Sequence, residues 1–279
     1  MSTATAILFP GQGSQTPEMR DTVAEHRPEL LELVARAVGE DPFPRAGEGT
    51  NFAQPAIFCA SLAGWAALGR PSAGLMAGHS LGELAALVAA GALDEGDGLR
   101  LVALRGRLMH EAGVQAGDGG MLAILGAGAA ERAAEIAAAH DLVVANDNSP
   151  QQVVLSGAKA ELPQAVEHAK SLGLRAVELD VTGAFHSPMM ASALPEFTAA
   201  LEQTRFSEPE VTVISAVTVQ PFSDPRRELA DALTMPVRWR ETMLALHERG
   251  AERFVEVGPG RVLSGLAKRT LKDVELAGA

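Results

Sequence analysis

The chain has 279 residues, 47% of them apolar, with 35 acidic against 23 basic side chains and a formal charge of −12. Such a length buries a large core and fits one domain, or one domain carrying a smaller insert, while the apolar content and 16 scattered prolines exclude a disordered chain. The acid excess excludes nucleic acid as a bulk partner, because no surplus of Lys or Arg neutralises phosphates, but it leaves room for an anionic substrate held by a few arginines.

The single cysteine, Cys59, forms no internal disulfide and sits in Ile57-Phe58-Cys59-Ala60, where a buried thiol is expected. Met1–Phe9 has no basic n-region, and no segment approaches an uncharged membrane span. These features fit a soluble cytoplasmic protein.

Ala4–Phe9 reads as a buried first strand ending at Pro10-Gly11-Gln12-Gly13-Ser14. Glu29–Val38 has apolar residues at helical spacing and stops near Gly39. Asp41–Gly49 reads as a surface loop, and Pro55 is expected to open a helix through Leu68. Ala73–Ala77 has strand length and runs into Gly78-His79-Ser80-Leu81-Gly82, after which Glu83–Ala90 has the composition of a helix. Asp94 starts another long helix, with Leu99, Val102, Leu108 and Met109 near one face.

Between Gly117 and Gly183 the texture changes. Met121–Leu125 reads as a strand, Ala129–Ala139 as a helix, Leu142–Ala145 and Gln152–Ser156 as strands, Glu161–Leu172 as a helix and Arg175–Leu179 as a strand. That β-α-β-β-α-β order is ferredoxin-like, with Asn146-Asp147-Asn148-Ser149-Pro150 as its hairpin turn. Val211–Ala216 and Arg253–Val257 are later strands. The expectation is an α/β fold: a large unit of residues 1–116 and 184–279 with a parallel sheet, and an inserted ferredoxin-like unit of residues 117–183.

Strand, Gly-x-Ser-x-Gly, helix is the context of a nucleophile elbow, in which glycines let the backbone turn and the serine hydroxyl stands clear near a helix N-terminus. Ser80 is therefore a candidate nucleophile, with an exposed turn serine as the plainer alternative. A serine needs a base. His26, His140, His168 and His247 lie among charged helical neighbours and read as solvated, as does His110 beside Glu111. His79 reads as a packing residue of the elbow. His186, in the small-residue loop Gly183-Ala184-Phe185-His186-Ser187-Pro188, lies where the insert rejoins the large unit, a usual place for an active-site group. Arg105 enters a largely apolar helix face and must find an anion, which is either a structural carboxylate or a substrate carboxylate held bidentately.

Phosphate-loop readings fail. Thr16 stands where a dinucleotide fingerprint wants glycine, and Leu266 takes the lysine position of the Gly260–Gly265 spacing. No metal-ligand spacing occurs. The Gly11-Gln12-Gly13 turn instead suits backbone N–H groups approaching an oxygen.

Seven segments together resemble the malonyl-CoA:acyl-carrier-protein transacylase family. They are Phe9–Gln15, Gln54–Phe58, Gly78–Glu83, Leu104–Met109, Asn146–Pro150, Gly183–Ser187 and Glu256–Gly260, in family order over nearly the whole chain. The resemblance implies an α/β-hydrolase-like core with a ferredoxin-like insert. It implies Ser80 as nucleophile, His186 as base, Gln12 and Leu81 amides as oxyanion donors and Arg105 as the grip on a malonyl carboxylate. Phe185 would disfavour an α-methyl branch, and Met109 would line the substrate site.

In the family a backbone carbonyl orients the base; the matching segment is Ala232–Val237, with Ala232 where the family usually has Gln or Asn. The implied reaction moves a malonyl group from CoA to the phosphopantetheine thiol of an acyl carrier protein through an acyl-serine, with no metal or redox cofactor. Arg175, Lys268 and Arg269 match basic positions near the pantetheine entrance. A monomer is the default expectation. Two rivals stay in view: an acyl-thioester hydrolase or editing enzyme of the same fold, which needs no carboxylate clamp, and a carrier-binding module without catalysis.

Overall fold

The computed structural model describes residues 4–278. The chain opens with β1 (Ala4–Phe9), α1 (Met19–His26), α2 (Glu29–Val38), α3 (Thr50–Ala67), β2 (Leu75–Gly78), α4 (Gly82–Ala89) and α5 (Glu95–Ala116). There follow β3 (Gly119–Leu125), α6 (Ala129–Ala139), β4 (Val143–Ser149), β5 (Gln152–Ala158), α7 (Leu162–Ser171) and β6 (Arg175–Glu178). The chain then continues through α8 (Leu194–Gln203), β7 (Thr212–Ile214), α9 (Pro225–Asp231), α10 (Trp239–Glu248), β8 (Ala251–Glu256), α11 (Val262–Thr270) and β9 (Glu275–Gly278).

Five strands form a parallel sheet in the order β7-β2-β1-β8-β9. Its centre, β1, reads Ala-Thr-Ala-Ile-Leu-Phe, a near-continuous apolar run suited to burial on both faces. One face packs on Phe58, Leu62 and Leu84 and the other on Trp239, Met243 and Leu266. Phe9 pairs with Gly78 and Leu8 with Glu256, so the turns after β1, β2 and β8 leave from one edge. That carboxyl edge is where open α/β sheets place their sites.

The second sheet is antiparallel, in the order β4-β5-β3-β6, with its own core of Leu122, Ile136, Leu155 and Leu162 beneath α6 and α7. This is the ferredoxin-like arrangement that the strand and helix order implies.

Three local readings are corrected. Pro55 lies inside α3 rather than at its start, because the Gly49 carbonyl already accepts from the Phe52 and Ala53 amides, at 3.2 and 2.9 Å. β4 runs on through Asn146–Ser149, so the hairpin turn shrinks to Pro150 and Gln151. His140 and His168 are not simply solvated: Nε2 of the first lies 3.1 Å from Nδ1 of the second. Strand β9 has no counterpart in the sequence reading. Among the described residues no helix is long and apolar enough to cross a membrane.

Candidate active site

Ser80 sits on the elbow between β2 and α4, with φ of 54°. A side chain at Gly78 or Gly82 would overlap backbone atoms of Gly82 and Glu83, or of Phe9, which is why glycine flanks the turn. The Ser80 hydroxyl donates to His186 Nε2 at 2.9 Å, and His186 Nδ1 donates to the Ala232 carbonyl at 2.8 Å. The carbonyl thus selects the tautomer that leaves Nε2 free to take a proton. Alanine at 232 keeps this acceptor, because it is main chain. Burial, then the positive Arg105 and then His79 lower the His186 pKa to about 3, so the ring is neutral at pH 7.

Arg105, on α5, is 3% exposed. Its Nη1 donates to Gln54 Oε1 at 2.8 Å and its Nη2 to Ser80 Oγ at 3.0 Å. Among the described residues no carboxylate lies within ion-pair distance of it. Burial lowers its pKa to about 10, and it remains charged. A buried cation without a contact anion beside a serine hydroxyl has donors that can hold an acidic group. Of the two open readings of Arg105, a structural carboxylate has a candidate in the buried Glu83, whose charge acts on Arg105 without an ion-pair contact, and the substrate reading is left open beside it.

From Arg105 a hydrogen-bonded file runs to the first loop. Gln54 Nε2 donates to Thr50 Oγ1 at 2.8 Å, and Thr50 Oγ1 donates to Gln12 Oε1 at 2.7 Å. Gln12 is thereby fixed at the cavity wall, across from Leu81 at the foot of α4. Neither the Gln12 nor the Leu81 amide finds a backbone acceptor among the described residues. Two such N–H groups, one from the loop after β1 and one at the N-terminus of α4, can receive a developing oxyanion.

These residues share one cavity of about 270 Å³, lined also by Met109, Met121, Leu179, Val181 and Phe185. Ser80, His186, Gln12, Leu81, Arg105, Phe185 and Met109 are therefore brought together. Arg175, on β6, and Lys268 and Arg269, in the last turn of α11, are exposed and lie outside its lining.

Sequence reasoning missed several residues here. Gln54 and Thr50 form the file to Gln12. Asn146 lines the cavity, and Asn148 Oδ1 accepts from His79 Nε2 at 2.8 Å, holding the residue before the nucleophile. His79 also meets the Trp239 ring edge-on, and burial lowers its pKa. Glu83, three residues after Ser80, is 1% exposed and accepts from the Ala216 amide at 2.7 Å; burial raises its pKa to about 8. The motif segments carried a signal for Gln54, Asn146 and Asn148, which lie in them.

Comparison with known proteins identifies the family and the fold. Residues 7–278 match the acyl transferase domain family. The chain is 41% identical over 283 residues to the polyketide biosynthesis protein ThaF of Burkholderia thailandensis, covering 95% of this chain and 24% of that one. It is 37% identical to a polyketide biosynthesis malonyl CoA-acyl carrier protein transacylase, BaeC, of Bacillus velezensis, covering 98% of each. Among solved structures, an acyl carrier protein S-malonyltransferase from Vibrio cholerae superposes with a TM-score of 0.90 at 36% identity, covering 99% of this chain and 97% of that one. A malonyl-transacylase solved in complex with its type II PKS acyl-carrier protein superposes at 0.88 with 35% identity, covering 99% and 95%. With its residues 7–278 matched by that family's model, and with relatives this similar over nearly their whole length, the chain belongs to the acyl transferase domain family.

Proposed function

We propose that this protein transfers a malonyl group from CoA to the phosphopantetheine thiol of an acyl carrier protein. The observation that carries the reading is Arg105, buried and charged 3.0 Å from Ser80 Oγ with no contact carboxylate of its own. The names of its relatives point to the same donor and acceptor.

In the first half-reaction Ser80 Oγ attacks the thioester carbonyl while its proton passes to His186 Nε2. The Ala232 carbonyl steadies the imidazolium through Nδ1–H, and the Gln12 and Leu81 amides take the oxyanion. The C–S bond breaks, and the CoA sulfur leaves with the proton from His186. Arg105 moves its donors to the malonyl carboxylate, which releases the Ser80 oxygen. In the second half-reaction the pantetheine thiol gives its proton to His186, attacks the acyl-serine and restores Ser80. One covalent intermediate serves both steps, so kinetics are ping-pong. A thioester is exchanged for an ester and back, chemistry that calls for no metal or redox cofactor.

Phe185, 6% exposed, crowds the space beside the acyl group, where an α-methyl branch would sit; Met109 forms the wall behind it. Arg175, Lys268 and Arg269 are the proposed contacts for the phosphates of CoA and the acidic carrier. We read the enzyme as a cytoplasmic monomer that meets its carrier in solution. The deciding experiment compares acyl-enzyme formation from malonyl-CoA with turnover to water and to carrier. Rapid acylation with slow hydrolysis and fast transfer supports the proposal; fast hydrolysis supports the editing enzyme, and no acylation the binding module.

A further inference from the structure

Alternation along β4 sends its side chains two ways. Asn146 and Asn148 face the cavity and His79. Asp147 points away and receives the fork of Arg240, from the first turn of α10: Nε lies 3.0 Å from both carboxylate oxygens and Nη2 lies 2.7 Å from Oδ2. The Asp147 side chain is 17% exposed and Arg240 33%. A solvated single-contact pair contributes little, but a bidentate pair held by backbone on both sides is a different object. Here the backbone support is direct: the Asp147 amide donates to the Val237 carbonyl at 2.9 Å, and the Val237 amide donates to the Ala145 carbonyl at 2.8 Å.

The far end of this short strand pairing is the base. Five residues before Val237 lies Ala232, whose carbonyl receives His186 Nδ1. Between them there is little slack, because the Thr234 and Met235 amides both donate to the Asp231 carbonyl, at 3.1 and 2.8 Å. Beyond Val237 comes Trp239, fully buried against His79. The register of Val237 on β4 therefore sets where the Ala232 carbonyl stands, and the Asp147–Arg240 fork locks that register from the side opposite the cavity.

We propose that Asp147 and Arg240 are a positioning pair that holds the Ala232 carbonyl under His186 and so keeps the base aligned with Ser80. The inference rests on the Ser80–His186 reading above and not on the identity of the acyl group. Neither residue touches substrate, so the pair acts on the rate of serine attack and leaves substrate affinity alone.

The test uses a small uncharged fluorophosphonate on the whole protein, in which Ser80 Oγ forms a bond to phosphorus, fluoride leaves and the proton passes through His186 to solvent. Asp147→Asn and Arg240→Gln should each slow this labelling about tenfold or more, as a small misplacement of a reacting group does. The double variant should be no slower than either single one. With malonyl-CoA, kcat should fall in parallel while KM stays near the unmodified value, and Asp147→Arg with Arg240→Asp should recover part of the loss. Singly substituted proteins that are folded and label at the unmodified rate overturn the proposal, whatever their melting temperature. Should both fail to fold, Arg240→Lys decides, since it keeps the charge without the fork: slowed labelling supports the pair and unchanged labelling overturns it. Failure of the unmodified protein to label at Ser80 overturns the nucleophile assignment itself, a result distinct from the others.

Discussion

Ser80 and His186 both hold their backbones in the left-handed region, at φ of 54° and 56°, and their side chains meet at 2.9 Å. Neither residue type adopts that conformation without cost. In Ser80 the strain belongs to the elbow; in His186 it turns a loop residue back toward the sheet edge. The pair is thus held by backbone on both sides before any substrate arrives.

Brief exposure to malonyl-CoA should add one malonyl group to the intact protein, and Ser80→Ala should abolish the adduct. Intact-mass spectrometry with peptide mapping checks this; a persistent adduct at another residue would contradict the assignment.

Arg105→Ala should impair malonyl transfer much more than acetyl transfer. Losing a buried charge-assisted contact costs about 2–5 kcal/mol. Acetyl groups do not use that contact, and the substitution also frees Ser80 Oγ from the Arg105 donor. Steady-state rates with both thioesters give the comparison; equal losses would make Arg105 a structural residue only.

The pH profile of acylation follows from His186, whose pKa is lowered to about 3. The free enzyme keeps this ring neutral down to that range, so kcat/KM for malonyl-CoA should show no descending acid limb centred near 6.5. Stability has the matching sign. The unfolded ring takes a proton below its ordinary value and the folded ring does not, so His186 costs stability progressively as pH falls from about 6.5 toward 3. Urea titrations at pH 7 and pH 5 should show a smaller difference in His186→Gln than in the unmodified protein.

Glu83 works in the opposite direction, because burial raises its pKa to about 8. The folded carboxyl keeps its proton where the unfolded one has lost it, so stability falls as pH rises from about 4.5 through 8, by about 1.4 kcal/mol per unit at most. Glu83→Gln, which keeps an oxygen for the Ala216 amide, should flatten that slope. An unchanged slope in urea titrations between pH 6 and pH 9 would assign it to other groups.

Lys268→Glu with Arg269→Glu should raise KM for the carrier protein and weaken its salt dependence, while acyl-enzyme formation at saturating malonyl-CoA changes little. The overall charge of −12 repels an acidic carrier, so local cations must guide it. Unchanged carrier kinetics would move the docking surface elsewhere.

Much of this site was legible in the sequence because its residues sit at punctuated places. Ser80 lies between glycines at a strand-to-helix junction, Arg105 breaks an apolar helix face, and Phe185 and His186 end an insert. Helices such as Glu29–Val38 and Ala129–Ala139 show in their apolar spacing. Other parts were hidden by tertiary effects. Asn146–Ser149 has the chemistry of a turn, yet pairing with Val153 and Val154 and with Val237 draws it into β4. Pro55 suggested a helix start and concealed the turn before it, where Thr50 and Gln54 organise the oxyanion loop. The Asp147–Arg240 pair spans 93 positions, and neither local pattern nor spacing announces it.

The strand order also dictates a history for each molecule. The central β1 pairs through Ala6 with Leu75 on one side and with Phe254 on the other. Apart from the bridge between Asn146 and Val237, the pairings of the antiparallel sheet lie between Gly119 and Glu178. During synthesis that smaller sheet closes short loops and can settle early, whereas β1 waits for β8, a neighbour made after the whole of that sheet. Its apolar flank stays uncovered in the interval, the period of greatest exposure to aggregation. Chemical competence therefore waits on a long-range event, the return of β8 onto β1 after the antiparallel sheet between them has formed.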